Sequence, residues 1–146
     1  MGLISKRVLL AATAACALAG CESLHNAQRS INSPCRDTKL TLYFEPSSET
    51  LTDAGRQIVE LTARRLRGCS VKELSLLGLA DPTGSSAVNL TLSQHRADNV
   101  LESFVKAGLP VPKYTLVAAG DKGAVTAGGA VVPVRRQVDV TVVIAR

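Results

Sequence analysis

Aromatic residues are scarce in this chain, which has no Trp, two Tyr and two Phe among its 146 residues. Apolar residues still make up 46% of the sequence, so a core is expected and must consist mainly of aliphatic side chains. No basic stripe with interleaved aromatic residues is present, which argues against nucleic-acid binding. The net charge of +5 is mild, and it falls to +3 without Lys6 and Arg7, which leaves 15 basic against 12 acidic side chains.

Signatures of catalysis and of metal binding are also missing from the sequence. No nucleophile stands with a partnered base, and Gly84-Ser85-Ser86 does not match the Gly-x-Ser-x-Gly elbow of serine hydrolases. The cysteines lack the close Cys-x-x-Cys or histidine spacing of zinc sites. We therefore expect a binding protein that has no enzymatic activity, cofactor or metal.

The first residues have the organisation of a secretory signal. Lys6 and Arg7 precede an apolar run, Val8–Leu18, which is much shorter than the roughly 20 apolar residues that a membrane-spanning helix needs. Small residues close this run. We predict a signal peptide over residues 1–20 and no permanent transmembrane segment.

The segment Leu18-Ala19-Gly20-Cys21 resembles a bacterial lipobox, in which the leader is cut before the cysteine and the cysteine is acylated. The resemblance implies that Cys21 is lipidated, and two or more acyl chains give stable membrane attachment. Glu22 stands where lipoproteins retained at the inner membrane have Asp, so we expect attachment to the outer membrane. An ordinary secretory signal with an incidental cysteine is the alternative.

A polar and aperiodic segment follows the lipobox. We predict that residues 21–36 form the lipidated cysteine and a flexible tether, and that residues 37–146 form a folded domain in the periplasm. The 13 residues from 22 to 34 would span about 20 Å as a coil and at most about 45 Å when stretched.

Hydrophobic periodicity within the domain predicts strand, helix, strand, helix, strand, loop and strand in that order. The expected strands are Lys39–Phe44, Val71–Leu79, Tyr114–Ala119 and Gln137–Ala145, and the expected helices are Thr52–Arg67 and Ser86–Ala107. This order predicts an α+β fold, βαβαββ, with a mixed sheet and helices packed on one face. A start of the second helix at Thr91, where a capping box fits, remains an alternative.

Apolar residues in the first helix predict which of its faces lies on the core. The residues expected to point inward are Ala54, Ile58, Leu61 and Leu66.

The most informative stretch is 76–101, where an apolar strand ends at Asp81 and a turn leads into the second helix. If that helix begins near Ser86, one polar line on its surface contains Asn89, Ser93 and Arg96. Asp81 at the strand exit and Arg96 on the helix would then face the same turn. An anion and a cation so placed predict a binding pocket for a ligand that carries both charges.

Three motifs in this chain resemble the OmpA-like peptidoglycan-binding domain. The segment Gly78–Ala97 is similar to the family signature G-H-T-D-x-x-G-S followed by N-x-x-L-S-x-x-R-A. Leu42–Gly55 is similar to the first strand and helix entry of that family, and Arg135–Val140 to its terminal N-R-R-V-E-I. The resemblance covers about 110 residues, from Thr38 to the end.

In that family the pocket holds the meso-diaminopimelate of peptidoglycan stem peptides. The resemblance implies that Asp81 accepts the ammonium group of this ligand and that Arg96 grips its carboxylate, a task suited to a guanidinium. It also implies that Asn89, Leu92 and Arg136 line or brace the site. The chain would then link the outer membrane to the cell wall.

The chain departs from the family pattern at several positions. Leu79-Ala80 replaces His-Thr beside the pocket, Val88 replaces the usual Tyr, and Pro46 replaces an aromatic residue. Both charges remain, so we expect weaker or altered binding. Taken alone, Asp81 also fits a turn-capping residue and Arg96 a surface residue of a helix. The alternative function is a protein-interaction module of an envelope or secretion assembly, with weak or no wall binding.

Two of the four cysteines remain in the domain, because Cys16 leaves with the leader and Cys21 is assigned to lipid. The first strand runs away from Cys35, and the first helix returns the chain to Cys69. We therefore predict a disulfide between them in the oxidising periplasm. Closing this loop would stabilise the domain by roughly 3–4 kcal/mol in the chain-entropy description.

Overall fold

A computed structural model describes residues 34–125, 128–130 and 135–145. The predicted leader, the predicted lipidation site at Cys21 and most of the predicted tether lie outside these residues. The described elements are β1 (Thr38–Tyr43), α1 (Asp53–Arg65), β2 (Val71–Leu79), α2 (Ser86–Lys106), β3 (Tyr114–Ala118) and β4 (Gln137–Ile144). Every boundary lies within two residues of its predicted position.

The four strands form one mixed sheet in the order β1-β4-β2-β3. The strand β4, last along the chain, lies between β1 and β2 and is antiparallel to both. The β2 and β3 strands are parallel neighbours, joined by the crossover through α2. The predicted α+β fold, βαβαββ with a mixed sheet, is therefore confirmed.

Alternation along β4 shows which face of the sheet carries the core. Val138, Val140, Val142 and Ile144 are buried, and the residues between them are only partly covered. The core also includes Leu42, Leu74 and Leu76 from the strands, Val59, Ala63 and Leu66 from α1, and Ala97, Val100 and Phe104 from α2. It is mainly aliphatic, as the composition predicts.

Side-chain caps define the beginning of both helices. Thr52 Oγ1 accepts a hydrogen bond from the backbone N–H of Gly55 at 3.0 Å, and Ser85 Oγ accepts one from Val88 N–H at 3.3 Å. The second helix therefore begins at Ser86, and the alternative start at Thr91 is wrong.

The predicted inward face of α1 is wrong. Ala54 is exposed, and so are Ile58 and Leu61, with 40% and 59% of their surfaces accessible. Leu66, which follows the helix, is buried as expected. The buried residues within α1 are Gly55, Val59, Thr62 and Ala63. Three of these four are small, so hydrophobicity alone does not reveal the buried face of the helix.

Helix α2 packs directly on β2 at Gly78. A Cβ atom on this residue would lie 2.0 Å from the carbonyl oxygen of Ser93, which is closer than any real contact allows. Only glycine permits this approach. Because side chains alternate along a strand, the next residue, Leu79, points to the face opposite α2, where only 4% of it is exposed.

The disulfide between Cys35 and Cys69 is present, with a Cα–Cα distance of 5.4 Å. It joins the segment just before β1 to the short segment between α1 and β2. This is the end of the sheet where β1 and β2 begin and β4 ends, because Thr38 pairs with Val142 and Val71 with Ile144.

Candidate functional site

The charged residues singled out from the sequence meet at the other end of the sheet. Here β1 and β2 end and β4 begins, since Tyr43 and Leu79 both pair with Gln137. Asp81 follows β2 directly and Arg136 immediately precedes β4. The topology of the sheet therefore brings residues that are far apart in sequence to the same end of the strands.

Asp81 serves both the turn and the charge cluster. Its Oδ1 accepts a long hydrogen bond from the backbone N–H of Thr83 at 3.4 Å, as a turn-capping aspartate does. Its Oδ2 accepts a hydrogen bond from Nη1 of Arg136 at 3.1 Å, in an ion pair that is about three-quarters shielded from water. Asp81 is thus held in place from two sides.

Arg96 is completely buried, so the alternative that it is a surface residue of the helix is wrong. Its Nε donates to the backbone oxygen of Ser48 at 2.7 Å, its Nη1 to that of Leu79 at 3.2 Å, and its Nη2 to that of Glu45 at 3.3 Å. The guanidinium carbon also lies 5.1 Å from the ring centroid of Phe44. Arg96 therefore joins α2 to the ends of β1 and β2 and to the loop after β1.

The three charged groups influence one another electrostatically. Burial lowers the pKa of Arg96, the Asp81 carboxylate acts in the opposite direction, and the positive charge of Arg136 lowers it further. Arginine stays protonated even so. The cluster therefore holds two cations and one anion, an excess of one positive charge.

Asn89 is buried and contacts a residue that the sequence analysis did not identify. Its Nδ2 donates to Oδ2 of Asp121 at 3.3 Å, and Ser86 Oγ donates to the same oxygen at 2.9 Å. These bonds, that of Ser86 first, lower the pKa of Asp121. Ser93 Oγ accepts a hydrogen bond from the backbone N–H of Gly120 at 3.0 Å. The loop after β3 is therefore fastened to the polar line of α2.

A sequence signal for Asp121 exists. It follows β3 after a short turn, much as Asp81 follows β2, and the carboxyl ends of parallel neighbouring strands lie side by side. The glycine before it has a φ of +55°, and a Cβ atom there would lie 3.1 Å from the backbone nitrogen of Leu90. A glycine-aspartate pair at this point thus marks a loop that packs against a helix.

Leu92 lies in a different environment from the charge cluster. It lines an open groove of about 400 Å³, together with Glu49, Ala87, Val88, Thr91 and His95. His95 is half-exposed, and its Nδ1 lies 2.8 Å from Oε2 of Glu49 at the rim. The structure therefore gathers Asp81, Arg96 and Arg136 together and places Leu92 in a separate groove, formed by α2 and the loop after β1.

Two features are absent from the described part of the chain. No group of three or more potential metal ligands occurs there. No helix there has the length and apolar character needed to cross a membrane.

Comparison with known proteins gives matches of sequence and of fold. Outer membrane protein A of Shimwellia blattae is 32% identical over 90 residues, which is 60% of this chain and 37% of the relative. The probable lipoprotein YiaD of Escherichia coli is 30% identical over 77 residues, which is 53% of this chain and 35% of YiaD. The chain thus spans little more than a third of the length of these curated relatives.

Solved structures share the fold at low identity. The OmpA-like domain of FopA1 from Francisella tularensis has a TM-score of 0.61 and 18% identity, over 75% of this chain and 77% of that one. The peptidoglycan-associated lipoprotein of Burkholderia pseudomallei has a TM-score of 0.56 and 21% identity, over 72% and 89%. The C-terminal domain of Helicobacter pylori MotB has a TM-score of 0.57 and 14% identity, over 73% and 84%.

The model of the OmpA family matches residues 43–136, which is more than half of the chain and includes all the site residues discussed above. The match extends from the end of β1 to the residue before β4, and the four-stranded sheet with its two helices agrees with it. This chain therefore belongs to the OmpA family.

Proposed function

We propose that this chain is a non-catalytic lipoprotein of the outer membrane that binds peptidoglycan through the diaminopimelate of its stem peptides. The observation that carries the proposal is the cluster of Asp81, Arg96 and Arg136 at one end of the sheet. A carboxylate beside two guanidinium groups, partly shielded from water, suits a ligand head group that carries both an ammonium and a carboxylate.

Each charge of the ligand has a partner in this cluster. Asp81 accepts the ammonium group of diaminopimelate. Arg96 donates to three carbonyl groups and is completely buried, so it attracts the ligand carboxylate through its positive charge rather than through direct hydrogen bonds. Asn89 acts indirectly, by holding the loop of Asp121 against α2.

The ends of the sheet suit a protein that connects two layers of the envelope. The chain enters the domain at Pro34, next to the disulfide and the beginning of β2, and the charge cluster follows the other end of this strand. Nine residues of β2 separate the two ends, which is about 27 Å. A lipid at Cys21 would thus pull on one end while the wall is held at the other.

Two of the relatives are lipoproteins by description, which supports the proposal. The structure from Burkholderia pseudomallei is a peptidoglycan-associated lipoprotein, and YiaD is described as a probable lipoprotein. Leu79-Ala80 replaces two polar residues of the family signature, so we expect weaker binding than in proteins that retain them.

Sedimentation with purified peptidoglycan tests the proposal. The full chain in detergent should sediment with the wall, and Asp81→Asn should abolish this, because the amide keeps the shape and the contact to Thr83 but not the charge. Asp98→Asn is the matched control, since Asp98 lies on the exposed side of α2 and bonds only Gln94 among the described residues. Equal sedimentation of both variants would refute wall binding at Asp81.

Lipid attachment requires a separate experiment. Cells that express the chain and are fed radioactive palmitate should label it, and Cys21→Ser should remove the label. A chain that remains labelled in the Cys21→Ser variant, or is never labelled, would contradict the anchor.

One observation favours the second candidate, a protein-interaction module. Asp81 is already paired with Arg136, and Arg96 already bonds three carbonyl groups, so the cluster also serves to hold the fold together. If the wild-type chain is folded and does not sediment with peptidoglycan, this module is the better assignment.

A further inference from the structure

The Asp81 carboxylate is occupied by a cation of the domain itself. Nη1 of Arg136 lies 3.1 Å from Oδ2 of Asp81, and 28% and 23% of the two side chains remain exposed. A single hydrogen bond joins the guanidinium of Arg136 to the carboxylate of Asp81, although such groups bind best through two parallel hydrogen bonds. Arg136 therefore occupies the Asp81 carboxylate, but the geometry of this ion pair is not optimal.

Arg136 is also incompletely satisfied. Its Nε is buried and has no hydrogen-bond partner among the described residues. A buried donor without an acceptor disfavours the conformation that contains it. A second anion close to this guanidinium would therefore stabilise it in a new position.

An ammonium group cannot simply join the existing cluster. Arg96 is fixed by three carbonyl oxygens, and it senses both Asp81 and Arg136, as the shifts of its pKa show. A third cation at Asp81 would be repelled by both guanidinium groups if Arg136 stayed where it is. Binding at Asp81 therefore requires that Arg136 leave.

We propose that Arg136 is an intramolecular competitor for Asp81 and that this competition makes the site selective for zwitterionic head groups. The ammonium of the ligand replaces the Arg136 guanidinium at Asp81, and the displaced guanidinium binds the carboxylate of the ligand. A ligand with an ammonium group alone displaces Arg136 without offering it an anion. The inference rests on the proposed function and adds a specificity-determining residue to it.

Two tripeptides provide the test: L-Ala-γ-D-Glu-meso-diaminopimelate and L-Ala-γ-D-Glu-L-Lys. They differ only in the carboxylate beside the side-chain ammonium. Calorimetric titration of the full chain in detergent should show a preference for the diaminopimelate peptide. Arg136→Gln should bind the lysine peptide about two- to fivefold more tightly than the wild type does, which is the effect of removing a partly exposed ion pair. The ratio of the affinities for the two peptides should therefore be smaller in this variant.

Two further variants make the test specific. Arg135→Gln removes the same charge from the adjacent residue, whose guanidinium lies against Gly123, and should leave the preference unchanged. Arg136→Lys keeps a cation at the same position and should retain the preference. It also serves if the glutamine variant does not fold, as judged by circular dichroism.

The outcomes separate this inference from the proposed function. Lysine-peptide binding that is weaker, unchanged or undetectable in Arg136→Gln would overturn the competitor role, and so would a lost preference in Arg136→Lys. Binding of the diaminopimelate peptide to the wild type would leave the proposed function in place in either case. A wild type that binds neither peptide would refute both.

Discussion

Arg96→Met is expected to destabilise the domain far more than the loss of a surface arginine. The side chain is completely buried and donates to the backbone oxygens of Ser48, Leu79 and Glu45. Methionine fills much of the same volume and packs against apolar neighbours, so the cavity that it leaves is small. What the variant removes is the set of donors that satisfies three carbonyl groups.

The magnitude follows from how well water can replace these donors. Leaving a buried hydrogen-bond acceptor without a donor typically costs about 1–3 kcal/mol. The bond to Leu79 is buried, whereas those to Ser48 and Glu45 are only partly buried, so water can hydrate the latter two carbonyls in part. We therefore expect a loss of about 3 kcal/mol in the free energy of unfolding, from one fully buried carbonyl and two that water hydrates in part.

Urea denaturation followed by far-UV circular dichroism measures this loss. Arg64→Met is the matched control, because Arg64 is exposed on α1 and forms a 3.3 Å ion pair with Glu60. Such a surface pair contributes about 0.5 kcal/mol or less. If Arg96→Met cost under about 1 kcal/mol, the carbonyl groups would be satisfied in another way, and the reasoning about Arg96 would be wrong.

Three other predictions concern the scaffold of the site. The double variant Cys35→Ser/Cys69→Ser should lose about 3–4 kcal/mol of unfolding free energy in urea, the chain-entropy value for a loop with a sequence separation of 34; an unchanged midpoint would contradict it. Gly78→Ala should destabilise by at least about 1–3 kcal/mol in the same assay, because its Cβ would collide with the backbone of Ser93; wild-type stability would show that α2 can move away. The folded-state pKa of Asp121 is lowered, so its contribution is present above the ordinary aspartate pKa and is lost as pH falls through the folded value. The stability difference between wild type and Asp121→Asn should therefore shrink below about pH 4, and a constant difference would contradict the assigned bonds.

Local signals in the sequence predicted the elements well. The end of β2, the start of α2 and the partners of the disulfide follow from alternation, turn residues and cysteine positions, all of which act over short stretches or through a simple return of the chain. The inward face of α1 was wrong for a physical reason. Small residues such as Gly55 and Ala63 lie on the buried face, while the larger Ile58 and Leu61 are exposed.

The sequence predicted that Asp81 and Arg96 lie near each other, but it did not predict the hydrogen bonds that each of them forms. Asp81 and Arg96 do lie at the same end of the sheet, but the direct partner of Asp81 is Arg136, which is 55 positions away in sequence. The carbonyl groups that hold Arg96 belong to the backbone of a loop, and no side-chain pattern encodes them. Long-range pairing and backbone acceptors depend on the completed tertiary structure.

Titration of the isotope-labelled full chain with free meso-diaminopimelate tests the central claim most directly. Nuclear magnetic resonance spectroscopy should show saturable chemical-shift changes at Asp81 and at the side-chain N–H groups of Arg96 and Arg136. The Asp81→Asn substitution should suppress these changes. Shifts that are absent, or that persist unchanged in Asp81→Asn, would contradict binding of a zwitterion between the acid that follows β2 and the arginines around it.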